Sequence, residues 1–165
     1  MTEIRDIFVA GLRNAHAMET QAREMMERQS ERLTDYPDVQ AKVKSHLAET
    51  EGQMKRLEDC LAKFDESTSS LKDTAQSFIG NMAAMAHATA DDEVLKNTLA
   101  NNAFENYEIA AYKSLLAMCG PAGADNCVAA LETNLHEEEA MAEWISANIA
   151  KVTTAYLQKQ SRAAA

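Results

Sequence analysis

The amino-acid sequence predicts an all-α protein built as a four-helix bundle, and three observations support this prediction. Only 5 Gly and 2 Pro occur among 165 residues, so the chain has few turns and its helices are long. Ala, Met, Glu, Lys, Gln and Leu dominate the composition, and these residues are good helix formers. Apolar residues recur every three or four positions over long segments, which is the period of an amphipathic helix. We expect one domain over residues 1–160 and a frayed tail over 161–165.

The first helix is predicted over residues 2–33, and one member of its inner face is a carboxylate. Glu19 lies inside the apolar wedge of this helix, one turn from Ala15 and close to Ala22. The apolar stripe consists of Ile4, Phe8, Gly11, Ala15, Met18, Ala22 and Met25. The helix ends at a short loop, Thr34-Asp35-Tyr36.

The second helix is predicted over residues 37–65. Pro37 suits its first turn, where the missing backbone donor has no intrahelical partner to lose. Its apolar stripe consists of Val43, Leu47, Thr50, Met54, Leu57, Leu61 and Phe64. His46 and Gln53 flank the stripe on one side, and Glu49 lies further round that side. Because the loop before it is short, the first two helices are expected to form an antiparallel hairpin.

The segment between the second and third predicted helices is predicted to form a long crossover. Residues 67–70, Ser-Thr-Ser-Ser, interrupt the apolar period. A shorter helix is predicted over residues 71–89, with Ser70 and Asp73 in the positions of a capping box. This segment is shorter and richer in small residues than the other helices. We therefore assign it to the connection between two hairpins.

The third helix is predicted from residue 91 to the residue before Gly120, and its inner stripe is the most polar of the four. That stripe consists of Val94, Thr98, Asn101, Glu105, Glu108, Tyr112, Leu115 and Cys119.

A tight loop over residues 120–124 leads to a fourth helix, which is predicted over residues 126–150. After it, Val152, Tyr156 and Leu157 suggest a last turn or a short helix. The fourth stripe consists of Val128, Leu131, Leu135, Glu138, Ala142, Ile145 and Ile149. Two hairpins joined by one long crossover form the ferritin-like variant of the bundle.

Charge and cysteine usage limit the classes of partner and compartment. The net charge of −10 disfavours nucleic acid and anionic lipid as partners. The first residues are charged and no long apolar span follows, so the sequence predicts a cytoplasmic protein that does not cross a membrane. Cys60, Cys119 and Cys127 fit no zinc pattern. Cys119 and Cys127 flank the loop between the last two helices, where they would form either a redox pair or two reduced thiols.

Inward-facing carboxylates are the strongest functional signal in the sequence. In an antiparallel bundle the helix midpoints share one level, and each predicted helix carries a glutamate near its midpoint. The spacing between the two glutamates of a hairpin repeats. Glu19 and Glu49 are 49 − 19 = 30 residues apart, and Glu108 and Glu138 are 138 − 108 = 30 residues apart. Several carboxylates in one dry layer repel each other unless a cation neutralises them, and iron or manganese would suit such oxygen ligands. The candidate ligands are Glu19, Glu49, Glu108 and Glu138, with Glu105 and His46 as further ligands or as partners of ligands.

The candidate site departs from the usual di-iron pattern of a four-helix bundle. That pattern contains two Glu-x-x-His pairs, whereas Gly52 and Met141 stand where the two histidines would be. Of the four histidines, only His46 is predicted to point inward. Other interpretations of the glutamates therefore stay open. Glu49 would then be a surface residue, and Glu19 would lie at the boundary of the core with its carboxylate reaching solvent. Glu105, Glu108 and Glu138 would be partly protonated or paired with basic groups of a neighbouring subunit.

Four short segments resemble the YciE/YciF type of ferritin-like stress proteins over about residues 3–149. The segments are Met18-Glu-Thr-Gln21, His46-Leu-Ala-Glu-Thr-Glu-Gly-Gln53, Glu105-Asn-Tyr-Glu-Ile-Ala-Ala-Tyr112 and Leu135-His-Glu-Glu138. The resemblance implies a ferritin-like bundle, a homodimer, a di-metal carboxylate site and a role in stress. It does not imply a particular substrate.

Two functional hypotheses follow from the sequence. The first is a cytoplasmic ferritin-like protein that binds iron or manganese and oxidises Fe(II) or removes peroxide. The second is a metal-free helical module that dimerises or binds a protein partner. The sequence leaves open whether the protein is an enzyme. A DNA-protecting mini-ferritin is disfavoured by the acidic charge and the lack of a basic tail. Apolar residues off the inner stripes, Val9, Leu99, Phe104 and Ala111, favour a homodimer.

Overall fold

The computed structural model describes residues 3–64 and 92–163, and nearly all of these residues are helical. No strand occurs within these two ranges. The elements are α1 (Ile4–Arg32), α2 (Pro37–Ala62), α3 (Glu93–Ala122), a 3-10 turn (Asp125–Cys127) and α4 (Val128–Ala163). The predicted all-α fold with four long helices is confirmed.

The helix α1 packs antiparallel against α2 and also against α3. Near the C-terminal end of α1, Gln40 at the start of α2 donates a hydrogen bond of 2.7 Å to the carbonyl oxygen of Ser30. At the same end, the Nε atom of Arg32 lies 2.6 Å from Oε1 of Glu93, the first residue of α3. Both α2 and α3 therefore start beside the end of α1 and run in the opposite direction.

The helix α4 completes the bundle by packing between α2 and α3. Its C-terminal half contacts the start of α2, where Nζ of Lys151 lies 2.6 Å from Oδ2 of Asp38. Since α2 and α3 are parallel to each other, the connection over residues 63–92 joins opposite ends of the bundle. The two predicted hairpins and the long link between them are thus confirmed. The extra helix predicted over 71–89 lies outside the described residues.

The end of α3 differs from the sequence prediction, which placed it before Gly120. The helix continues through Gly120 and Pro121, and it ends at Gly123, whose φ of 66° is left-handed. Proline within the last turn removes only one intrahelical hydrogen bond, so it does not stop the helix there. Glycine adopts the left-handed conformation without steric cost, and it is the residue that ends α3.

The end of α4 also differs from the prediction, which placed it near residue 150. The helix continues to Ala163 and includes Arg162, where the sequence predicted a frayed end. No glycine or proline follows Gly123, so nothing in the sequence interrupts the helix. Val152 is buried, and Lys159 forms an ion pair with Asp35 in the loop between α1 and α2. The last turns of α4 thereby cover that loop.

The interior of the bundle has apolar layers on either side of a polar middle layer. Leu12 and Phe8 of α1, Leu57 of α2 and Leu131 of α4 are almost completely buried in the apolar part. Across 3–64 and 92–163, none of the helices has the combination of length and apolar character that a membrane span requires.

Replacing Leu12 by alanine is expected to lower the free energy of unfolding by about 2–5 kcal/mol, because it leaves a cavity in the core. Leu157→Ala is the matched control, since Leu12 is 0% exposed and Leu157 is 56% exposed. The control should change stability by no more than about 0.5 kcal/mol. Urea denaturation of the two variants checks this, and similar losses in both would contradict the described packing.

Candidate metal site

Polar side chains from all four helices meet in the middle layer of the bundle. They lie on helix faces that are otherwise apolar, so the packing of the four helices encloses them. These side chains, all buried, are Glu19 of α1, His46 of α2, Glu105 and Glu108 of α3, and Glu138 of α4. We call these five residues the carboxylate cluster.

Three members of the carboxylate cluster have the arrangement of a cation site. His46, Glu105 and Glu138 each offer one ligand atom, and these atoms all lie within 4.8 Å of one another. The Nε2 atom of His46 lies 3.2 Å from Oε2 of Glu105 and 3.4 Å from Oε2 of Glu138. One imidazole nitrogen therefore faces two carboxylate oxygens from different helices.

Glu49 lies outside the carboxylate cluster, although the sequence suggested it as a ligand. Its side chain is 35% exposed, and its Oε2 atom lies 2.8 Å from Nδ1 of His46, on the far side of the imidazole ring from Glu105. A carboxylate that accepts a hydrogen bond from Nδ1 fixes the ring orientation and leaves Nε2 for a ligand or cation. Glu49 is placed to orient His46.

The inner face of α2 is rotated relative to its predicted apolar stripe. Thr50 and Gln53 are completely buried, whereas Leu47 and Met54 are only partly buried. The Nε2 atom of Gln53 donates a hydrogen bond to Oε1 of Glu138. Buried polar groups with partners are tolerated in a core, so the polar side of α2 faces the carboxylate cluster.

Tyr112 and Asn134 add a second layer of hydrogen bonds. The hydroxyl group of Tyr112 donates to Oε1 of Glu19. The Nδ2 atom of Asn134 donates to the Tyr112 hydroxyl oxygen over 2.9 Å. Asn134 was not among the residues selected from the sequence, but its position one turn before Glu138 on the same helix was a usable signal.

Each carboxylate of the cluster keeps one oxygen without a hydrogen-bond partner. Two of these oxygens, Oε2 of Glu105 and Oε2 of Glu138, instead form ion pairs with Nε2 of His46, at 3.2 Å and 3.4 Å. The oxygens without a partner are Oε2 of Glu19, Oε2 of Glu105, Oε1 of Glu108 and Oε2 of Glu138. Buried polar atoms are almost always hydrogen-bonded, so four exceptions in one cluster are unusual. Carboxylate oxygens and one imidazole nitrogen are a donor set that a divalent transition-metal ion accepts.

Comparison with known proteins places the chain in a family. A family model described as a domain of unknown function, DUF892, matches residues 3–158. The chain belongs to this family. A protein from Xanthomonas campestris pv. campestris str. ATCC 33913 has a similar structure, with a TM-score of 0.80 and 28% identity over 96% of this chain and 99% of that one.

Two further solved structures share the DUF892 bundle architecture. YcfI from Rhodopseudomonas palustris has a TM-score of 0.69 and 26% identity, over 88% of this chain and 94% of its own. The E. coli stress protein YciF has a TM-score of 0.71 over 93% of this chain and 99% of its own. Its identity is 20%, so this likeness shows the fold alone. These findings confirm the YciE/YciF-type resemblance that the sequence predicted.

Burial and mutual repulsion set the protonation of most carboxylates in this DUF892 chain. Burial raises the pKa of Glu19 and of Glu108 well above the usual value, and repulsion from neighbouring carboxylates adds to it. Burial also raises the pKa of Glu105 to about 8, although contact with His46 opposes the rise. Without a bound cation, these three groups hold protons near neutral pH.

His46 and Glu138 form the charged pair of the carboxylate cluster. Burial alone would lower the pKa of His46, but the contacts with Glu105 and Glu138 outweigh it and raise that pKa to about 11. Burial alone would raise the pKa of Glu138, but contacts with His46 and with neighbouring carboxyl groups lower it. An imidazolium paired with one carboxylate is thus the metal-free state of the site.

The three cysteines are buried free thiols. Burial and contact with Cys127 raise the pKa of Cys60 to about 12, and burial raises that of Cys119. Since the thiolate is the reactive form, Cys60 and Cys119 are unreactive at neutral pH. The structure agrees with reduced thiols at this end of the bundle.

The free energy of unfolding of the metal-free protein is expected to fall as the pH rises from about 5 to about 8. In the unfolded chain Glu titrates near about pH 4.3 and His near about pH 6.5. The folded-state pKa values of Glu19, Glu105, Glu108 and His46 are all raised. The folded chain therefore holds extra protons in this window, and the stability they contribute at low pH is lost as they dissociate. Each extra proton adds a slope of about 1.4 kcal/mol per pH unit.

Urea denaturation with a chelator present measures this slope. Glu138 does not contribute in this window, because its pKa is lowered and it is ionised in both states. Glu132→Gln, at an exposed position of α4, is the control and should keep the wild-type slope. A stability that is constant or rises between about pH 5 and about pH 8 would contradict the protonation described above.

Glu108→Gln and Glu138→Gln are expected to change the stability of the metal-free protein differently at neutral pH. Glutamine resembles the protonated form that Glu108 already has, so that substitution should leave stability unchanged or slightly raised. Glu138→Gln removes the charged partner of a buried imidazolium, and such a loss costs about 3–5 kcal/mol. Thermal unfolding with a chelator compares the two variants, and equal effects would show that the two carboxylates do not differ in charge.

Proposed function

We propose that the protein binds one or two divalent ions of iron or manganese in the carboxylate cluster. The observation that carries this proposal is that His46, Glu105 and Glu138, from three helices, bring three ligand atoms within 4.8 Å of one another in a buried layer that holds two further carboxylates. The charged groups with the largest influence on these carboxylates are one another and His46. Burial, and after it mutual repulsion, now keeps protons on Glu19, Glu105 and Glu108, and a bound dication would offset both effects.

The donor set indicates how such ions would be held. His46, Glu105 and Glu138 form the first group of ligands, since their ligand atoms are mutually close. Glu19 and Glu108 are buried in the same layer, and the Glu138 carboxylate raises the pKa of both, so they would supply the carboxylates for a second ion. One imidazole among several carboxylates favours iron or manganese over metals that prefer thiolate ligands.

The chemical role of the chain's own residues is to bind, orient and enclose. Bound iron or manganese would supply redox chemistry for Fe(II) oxidation or peroxide removal. Glu49 orients His46, Gln53 holds Glu138, and Tyr112 holds Glu19. The apolar layers on both sides limit the access of water, which strengthens electrostatic interactions at the site. A role in stress is part of this proposal and rests on the sequence resemblance to the YciE/YciF type of stress proteins.

A metal-free helical module that dimerises is the second candidate, and one surface feature favours it. Leu99 and Tyr107 of α3 are exposed. They lie on the helix that also borders a groove of about 180 Å³ against α1. Val9 and Phe104, which suggested a dimer from the sequence, are buried within the single chain. The argument for a homodimer therefore depends on Leu99 and Tyr107, and sedimentation of the purified protein tests it.

Loss of one ligand is expected to weaken Mn²⁺ or Fe²⁺ binding strongly. Glu105→Gln removes an oxygen that lies beside His46, so the affinity should fall at least about 10- to 100-fold, the range found for loss of an outer partner of a ligand. Because ligands must lose protons before they bind, binding should also release protons and tighten as the pH rises. Calorimetric titration in buffers of different ionisation enthalpy measures both effects.

The matched control is Glu132→Gln, which removes an equal charge from an exposed position of α4. Elemental analysis of protein purified without a histidine tag should find metal in the wild type and in this control, and little in Glu105→Gln. Equal metal content in all three proteins would show that the carboxylate cluster is not the site. No divalent metal binding by the wild type would favour the metal-free module.

A further inference from the structure

A chain of hydrogen bonds connects the surface of the bundle to Glu19. The Nε atom of Arg56 donates to Oδ1 of Asn134 over 2.5 Å, and Nδ2 of Asn134 donates to the hydroxyl oxygen of Tyr112 over 2.9 Å. The Tyr112 hydroxyl then donates to Oε1 of Glu19. Asn134, Tyr112 and Glu19 are completely buried, whereas the side chain of Arg56 is 28% exposed.

The direction of every bond in this chain is determined by Arg56 together with the backbone carbonyl oxygen of Gln53, which also accepts from Nδ2 of Asn134 over 3.4 Å. A guanidinium group has donors and no acceptor, so the carbonyl oxygen of the Asn134 amide must face Arg56. The amide nitrogen must then face Tyr112, and the hydroxyl oxygen accepts from it. The hydroxyl group has one hydrogen, which is left for Glu19. Arg56 therefore makes Tyr112 a donor to Glu19 without contacting either residue.

Two features hold Arg56 in place. Its Nη2 atom forms an ion pair with Oε2 of Glu137 on α4. Gly52 lies one turn earlier on α2, and a Cβ atom at that position would lie only 3.3 Å from Nη1 of Arg56. Glycine is a poor helix former in a helix interior. Its presence here leaves the room that the guanidinium group occupies.

We propose that Arg56 and Asn134 are positioning residues of the cation site. Through Tyr112 they occupy Oε1 of Glu19, so that Oε2, which has no hydrogen-bond partner, is the oxygen available to a divalent cation. Without Arg56, the buried Oδ1 atom of Asn134 loses its donor, and the amide can turn this oxygen toward the Tyr112 hydroxyl group in exchange for the 3.4 Å bond from Nδ2 to the carbonyl oxygen of Gln53. The Tyr112 hydroxyl then donates to Asn134, and Glu19 loses the bond that orients it. The presence of a cation in this inference rests on the proposed function. The assignment of Tyr112 as the donor to Glu19 rests on the hydrogen bonds alone.

A double-mutant cycle with Mn²⁺ tests the positioning role. Arg56→Met and Tyr112→Phe should each weaken Mn²⁺ binding about 10-fold or more, as the loss of residues that orient ligands does. Because Arg56 acts through Tyr112, the double variant should bind no more weakly than Tyr112→Phe alone. Glu132→Gln, which removes one charge from an exposed position of α4, is the control and should bind like the wild type. Additive losses in the double variant would overturn the proposal.

The metal-free protein provides a readout that does not depend on cation binding. Ultraviolet resonance Raman difference spectra, each protein minus its counterpart with Tyr112→Phe, isolate the signal of the Tyr112 hydroxyl group. The Tyr112 hydroxyl signal should differ between the wild type and Arg56→Met, because the acceptor of its hydrogen bond changes from a carboxyl oxygen of Glu19 to the amide oxygen of Asn134. Identical difference spectra for the wild type and Arg56→Met would overturn the inferred direction of the hydrogen bond from Tyr112 to Glu19. If the wild type binds no Mn²⁺, the proposed function fails, and these spectra still decide the direction of the hydrogen bonds.

Discussion

The desolvation of four carboxylates around one imidazole is the constraint on which the rest of the structure depends. Burying an ionised carboxylate without a partner is prohibitive, so such groups are paired, protonated or bound to a metal. Here Glu138 is paired with His46, whereas burial holds protons on Glu19, Glu105 and Glu108. The metal-free protein thus avoids the repulsion by keeping protons that a cation would displace.

The hydrogen bonds around the carboxylate cluster limit its conformations. Gln53 contacts Glu138, Tyr112 contacts Glu19, and Glu49 contacts His46. One turn from Glu105 on α3, Asn101 forms two reciprocal amide hydrogen bonds with Gln29 of α1, of 3.1 Å and 2.8 Å. Fully paired polar groups in a core help to fix one arrangement of the helices. Most of the oxygens that lack partners in the middle layer belong to the carboxylates themselves, which is the pattern expected where a cation is to bind.

The sequence predicted the architecture because few residues interrupt the helical period. It also predicted that His46 and the glutamates of α1, α3 and α4 would reach the middle of the bundle, and their burial agrees with this. It did not predict the rotation of α2, because an apolar stripe was taken as the inner face. The interior at this level is polar, so Gln53 is buried and Leu47 is only partly buried. The same rotation turns Glu49 toward the interior, but only as far as Nδ1 of His46, where its side chain stays 35% exposed. The end of α3 was misplaced because Gly120 was taken as the residue that stops the helix, whereas Gly123 has the left-handed φ.

Anomalous diffraction from crystals equilibrated with Mn²⁺ tests the central claim most directly. Data collected above and below the manganese absorption edge locate the ion without any assumption about its ligands. A cation-binding carboxylate cluster predicts an anomalous peak bounded by His46, Glu105 and Glu138, and the peak should be lost in Glu105→Gln crystals. A peak confined to surface carboxylates, or no peak in crystals that contain manganese in solution, would contradict a metal site in the core.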